Sequence, residues 1–298
     1  KYADDYCLFQ NAYFQFDRIT QLQYFVPFIL SVEKSNNNFI IRTMFTQKQL
    51  TISDSALKNQ LPTAIIKVKV LNDNNTLRLT NVIDDEVKKW NNYKTKNINY
   101  IVNNDIAIDT AVCNESQKFL DTLSAMWGKK LESTLDYYVS NSSESINRLI
   151  GNDFAFYGAI GNGVAGSNGS HLLVGNEDFK HKHELAHIVM NNAENRLLSE
   201  GIATYLGGSN EHDYEHIKSN FYNKHYPLYE EKIEKISEYP GQMDYYVLGA
   251  ILCELVMKEK GIAGIKELWD TEGSGIRNNG LEDYNLLISA MKSILKIN

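Results

Sequence analysis

Residues 183–187 read His-Glu-Leu-Ala-His. On an α-helix, histidines four apart lie on one face a single turn from each other, so both imidazoles can reach one ion. The glutamate beside the first histidine then lies next to any water that fills an open metal position. That is where a carboxylate serves as general base to metal-activated water. Two histidines do not complete a catalytic zinc site, so the pentapeptide also demands a further ligand from elsewhere in the chain.

The metzincin pattern would place glycine at 190 and histidine at 193; Met190 and Ala193 exclude it. Glu200, in Leu197-Leu198-Ser199-Glu200-Gly201-Ile202-Ala203-Thr204-Tyr205, is the candidate third ligand. Twelve residues separate it from His187. One more turn carries the first helix about 5 Å beyond His187, and a return helix starting at Arg196 regains that level after roughly a turn and a half. Asn191-Asn192-Ala193 supplies a polar turn between them. The expectation is an antiparallel helix pair that closes the site. Leu197, Leu198 and Ile202 argue for partial burial of Glu200, where a carboxylate needs a partner such as a metal. Glu194 is the competing carboxylate, but it falls in or near the turn and would point outward.

His183–His187 followed by Glu200-Gly201-Ile202-Ala203-Thr204-Tyr205 resembles the gluzincin zinc metallopeptidases. It is most similar to the aminopeptidase N branch and the related thermolysin-like (peptidase MA-like) catalytic domains, with H-E-x-x-H and a later E-G-x-A-x-Y. The resemblance implies that His183, His187 and Glu200 bind zinc and that Glu184 is the general base. Tyr246-Val247-Leu248-Gly249 resembles the Y-x-x-G of the family's downstream helix, whose tyrosine donates a hydrogen bond to the oxyanion of the tetrahedral intermediate. This implies Tyr246 as stabiliser, with Tyr245 as the alternative. Aminopeptidases of the family also carry G-x-M-E-N on the edge strand before the zinc helix, and its glutamate holds the substrate amine. Here Gly158-Ala159-Ile160-Gly161-Asn162 has Gly161 at that position, and the gap before Glu200 is shorter than is usual for the family. The resemblance spans about 98–298 in element order. It implies a zinc-dependent metallopeptidase, acting on a peptide or protein substrate, that is not a standard aminopeptidase. Two alternatives stand beside it: a catalytically inactive zinc-containing binding protein on the same scaffold, and a metal-dependent hydrolase of a non-peptide amide or ester.

The expected fold class is α+β, with a β-rich accessory domain over 1–95 and a thermolysin-like catalytic domain over 96–298. Apolar runs at Tyr24–Val32, Phe39–Phe45, Ala64–Val70 and Thr76–Val82 read as strands of a sandwich or curved sheet. Asn72-Asp73-Asn74-Asn75 reads as a hairpin connection. Asp84–Lys94 is charged, lacks an apolar face and reads as a linker. Next come a strand at Asn99–Val102, a helix from Asp109 or Thr110 to Gly128, a strand at Leu135–Val139 and a short helix at Ser143–Ile150 capped by Ser142 or Ser143. The glycine-rich stretch 158–169 lacks the Lys-Ser/Thr ending of a phosphate loop and leads into a strand at His171–Val174. It reads either as a mobile flap at a substrate-binding edge or as an ordinary hairpin. Amphipathic helices follow at Leu228–Ser237, Met243–Lys258 with a stop at Gly261, Ile262–Trp269 and Leu281–Ile297.

The remaining chemistry is sparse. His181 falls off the His183/His187 face, and His212 and His216 lie four apart in polar surroundings that suit a solvated helix face. Lys and Arg total 30 against 37 Asp and Glu, a balance of −7, and no basic run occurs, which argues against a nucleic-acid partner. No stretch of 18 apolar residues offers a transmembrane segment. The 3 cysteines are far apart and form no C-x-x-C. A chain beginning at Lys1 without an apolar leader fits a secreted, periplasmic or cell-surface protein after removal of a targeting segment.

Overall fold

The computed structural model describes residues 25–36, 38–47, 62–73, 76–131, 133–155, 163–165, 171–190, 196–209, 212–225 and 245–272. They form an α+β protein with two five-stranded sheets and seven helices among the described residues. The chain divides into two compact units, one of Lys1–Thr110 with Leu135–Phe179 and the other of Ala111–Thr134 with Lys180–Asn298.

In the first unit, β1 (Phe25–Ser35), β2 (Asn38–Gln47), β3 (Pro62–Asp73) and β4 (Thr76–Thr80) make an antiparallel meander. Its β3–β4 register runs to Asp73↔Thr76, as the asparagine-rich hairpin required. Phe45, Ala64 and Ile66 form a buried cluster on this sheet. The fifth strand comes from much later in the chain: β8 (Asn152–Ala155) pairs antiparallel with β3. The sheet begun before residue 95 therefore includes a strand from beyond it.

The second sheet has the order β5 (Asn91–Lys94), β6 (Ile98–Val102), β7 (Leu135–Val139), β10 (His171–Val174) and β9 (Gly163–Ala165). Its central strands β6, β7 and β10 are parallel, with antiparallel strands at both edges. The short helix α3 (Ser143–Leu149) begins where the Ser142 hydroxyl accepts from the Ser145 N–H at 3.2 Å. It buries Ile146 and Leu149 with Ile101, Tyr138 and Leu173 of the sheet.

The expected linker at Asp84–Lys94 is instead structured. One-turn helix α1 (Ile83–Glu86) buries Ile83 in that same core, and β5 pairs with β6. Its charges misled because they are neutralised by lysines of β3: Asp85 bonds Lys69 at 2.6 Å, and Glu86 bonds the nearly buried Lys67 at 2.7 Å.

The second unit is helical: α2 (Thr110–Trp127, from Ala111 onward), α4 (Lys182–Met190), α5 (Arg196–Gly207), α6 (Tyr214–His225) and α7 (Tyr245–Glu272). Gly261 interrupts α7 with φ 62° and ψ −160°, which is the expected stop between two helical runs. Trp127 of α2 meets Trp269 of α7 edge to face, ring centres 5.3 Å apart. The helices expected at Leu228–Ser237 and Leu281–Ile297 lie outside the described residues. No helix among the described residues is long and apolar enough to cross a membrane.

Candidate metal centre

Helix α4 forms around an apolar stripe: Leu185, Ala186, Ile188, Val189 and Met190 are all buried. The two histidines share the adjoining face. His183 and His187 are 7% and 8% exposed, and their rings meet edge to face with centres 4.9 Å apart. Helix α5 buries Leu198, Ile202 and Ala203, which turns Glu200 toward α4. The pair is antiparallel, since the start of α5 faces His187 while its end reaches the main chain at His183.

Three donor atoms converge. His183 Nε2 lies 3.2 Å from Glu200 Oε2, His187 Nε2 lies 3.4 Å from the same oxygen, and the two Nε2 atoms are 3.2 Å apart. Zinc bonds to nitrogen and oxygen near 2.0–2.1 Å, so ligand atoms at tetrahedral angles are separated by about 3.3 Å. The observed triangle has that size, and the donor set of two imidazoles and a carboxylate fits such an ion. Among the described residues, this is the group of three able to hold a metal.

The electrostatics favour a cation. Burial opposes charge on Glu200, yet hydrogen bonds from His183 and His187 hold its carboxyl down at about 2. Burial likewise opposes a proton on His183, but Glu200 and the nearby charges of Glu184 and Glu200 raise its pKa. Two carboxylates thus bias a buried pocket toward positive charge, whether protons or a metal supply it.

The outer ring nitrogens are also held. His183 Nδ1 donates to the Gly208 carbonyl at 2.8 Å, because a carbonyl can only accept. Ser199 Oγ lies 3.4 Å from His187 Nδ1. Histidine ligands commonly spend their second nitrogen in this way, which fixes the tautomer that frees Nε2. Neither Ser199 nor Gly208 was legible as functional: one is a lone hydroxyl in an apolar run and the other acts through its main chain.

Glu184 stands in the first turn of α4, half-buried and near enough to act on the charge of His183. Tyr246 is brought in by α7, its ring centre 5.9 Å from that of His183. This approach depends on a glycine contact: a Cβ on Gly201 would lie 2.4 Å from the Gly249 carbonyl carbon, so α5 and α7 touch backbone to backbone. The side chain of Tyr245, and residues Glu194 and Gly161, lie outside the described residues, as does most of the glycine-rich stretch.

His212 and His216 are exposed, as expected, and their rings stack with centres 4.3 Å apart. His212 and Asp213 both precede α6, and the Asp213 carboxylate accepts from the His216 N–H at 2.8 Å.

No protein-family model matches the chain, and no curated protein matches its sequence.

Proposed function

We propose that the chain is a zinc-dependent metallopeptidase with a thermolysin-like catalytic arrangement. The observation that carries this reading is the closed triangle of His183, His187 and Glu200 atoms at the size of a tetrahedral site, with Glu184 one residue from the first histidine. His183, His187 and Glu200 would hold the ion. When bound, zinc supplies a Lewis acid that polarises a carbonyl oxygen and lowers the pKa of water.

The chain's own residues do the rest. Glu184 accepts a proton from the attacking water and later delivers it to the leaving amine. Tyr246 donates its phenolic hydrogen to the oxyanion that develops as the peptide carbonyl is attacked. The low exposure of both histidines keeps competing water away from the ligand set.

The test is digestion of a peptide library by the purified chain, read by mass spectrometry. Cleavage is expected to stop with a chelator and return with zinc. Glu184→Gln should lower turnover by at least about 100-fold, the scale of general-base catalysis, while zinc content stays near one per chain. Glu200→Ala should lose the metal. Stoichiometric zinc without any cleavage would leave a zinc-binding protein rather than a peptidase, and wild-type turnover in Glu184→Gln would overturn the mechanism.

A further inference from the structure

We propose that the Gly207–Gly208 step ending α5 is a positioning element for the metal centre, acting on His183. It rests on the metal-binding part of the reading above. A Cβ on Gly207 would lie 2.5 Å from the Lys182 carbonyl carbon and the His183 nitrogen, and 2.7 Å from His183 Cα. These are main-chain atoms and cannot swing aside as a flexible side chain does. Only glycine therefore lets the end of α5 run this close to the start of α4.

The next residue uses that closeness. Gly208 has φ +78°, a left-handed conformation that favours glycine. Its N–H returns to the Thr204 carbonyl at 2.8 Å, and a Cβ there would lie 2.1 Å from the His212 carbonyl oxygen. Held from both sides, its own carbonyl accepts from His183 Nδ1 at 2.8 Å. With the proton fixed on Nδ1, the Nε2 atom faces Glu200 and His187 with its lone pair free for a metal.

One helix thus acts on the site twice. It supplies a ligand at Glu200 and, two turns later, orients the ring of a ligand on another helix. An alanine at 207 must push α5 away from His183 and stretch or break the bond to Gly208.

Zinc affinity of the full chain, measured by competition with a chromophoric chelator, tests this without recourse to activity. Gly207→Ala is expected to weaken zinc binding by about 10–100-fold, the scale on which orienting partners of ligands act. A glycine needed only for packing would lower metal-free stability and leave the affinity unchanged; that result overturns the proposal. Should the variant fail to fold, zinc-loaded wild type decides through long-range proton–nitrogen correlations of its imidazoles. A protonated, slowly exchanging Nδ1 on His183, coupled to the Gly208 carbonyl carbon, is expected; an unprotonated or freely exchanging Nδ1 overturns the inference. A wild-type chain that takes up no zinc overturns the metal reading and this inference together. Unchanged affinity in Gly207→Ala overturns this inference alone.

Discussion

Ser199 is 4% exposed and sits one position before Glu200, with its hydroxyl 3.4 Å from His187 Nδ1. Its geometry is that of a weak hydrogen bond, longer than the usual range, so its contribution should be smaller than that of the His183–Gly208 bond at 2.8 Å. Ser199→Ala removes one oxygen and no packing volume of consequence. It should weaken zinc binding by about 10-fold, the low end for such partners, and leave the unfolding midpoint of the metal-free chain nearly unchanged. Isothermal competition for zinc and a thermal melt in chelator separate the two effects. An unaltered zinc affinity would mean that His187 is oriented by packing alone. Cys253 illustrates the opposite case at this scale. Burial pushes its thiol up to about 12, and it plays no part in the site.

At the level of elements, α5 is pinned between α4 and α7 by two glycines, Gly207 against His183 and Gly201 against Gly249. The Gly201 contact fixes how closely α7 brings Tyr246 to the metal ligands. Gly201→Ala forces a methyl group into main-chain atoms, so the chain should lose about 1–3 kcal/mol of stability, the cost of overpacking a close crossing. Chemical denaturation of the metal-free chain measures it, and an unchanged midpoint would show that the two helices separate freely. These contacts also explain which parts of the molecule were legible in its sequence. The His183–His187 pair and Glu200 could be placed because their donors lie on two consecutive helices, where the helical repeat dictates direction. Helix α2 and strands β6 and β7 could be read from local apolar spacing and capping residues. The pairing of β8 with β3 could not, since Ala155 and Ala64 meet only through the fold. Asp84–Lys94 was misread because its apolar residues Val87 and Trp90 are too few to mark a face, yet they pack on the core beside Ile83, while Asp85 and Glu86 find their partners, Lys69 and Lys67, only through the fold. Gly207 and Gly208 carry no signal of their own in the sequence; their approach to His183 exists only once α5 has folded back.

At the scale of the whole molecule, carboxylates take up their protons in acid, so that is where their interactions set the pH dependence of stability. Both units hold carboxylates below their ordinary range. In the first, burial disfavours charge on Asp85, but Lys69 and Lys88 more than offset it and its pKa is lowered. In the second, burial works against Glu254 in the same way, yet Lys258, Tyr214 and Lys218 hold it at about 2. Tyr214 of α6 donates to Glu254 of α7 at 2.6 Å, and Lys218 reaches it at 3.1 Å, so the cluster ties the two helices together. A depressed folded-state pKa means that the unfolded chain binds the proton first. The stabilisation is therefore complete above the unfolded carboxylate value of about 4.3 and is lost as pH falls toward 2. Lys258 is 65% exposed, and solvent screening of that partner limits its share of the contribution to about 1 kcal/mol or less. Glu254→Gln should accordingly unfold more easily than wild type at pH 6, with the difference shrinking steadily toward pH 3. Urea titrations of the two proteins in chelator, which keeps metal release out of the comparison, measure that difference directly. A gap independent of pH would assign the role of Glu254 to packing and neutral hydrogen bonding instead of its charge.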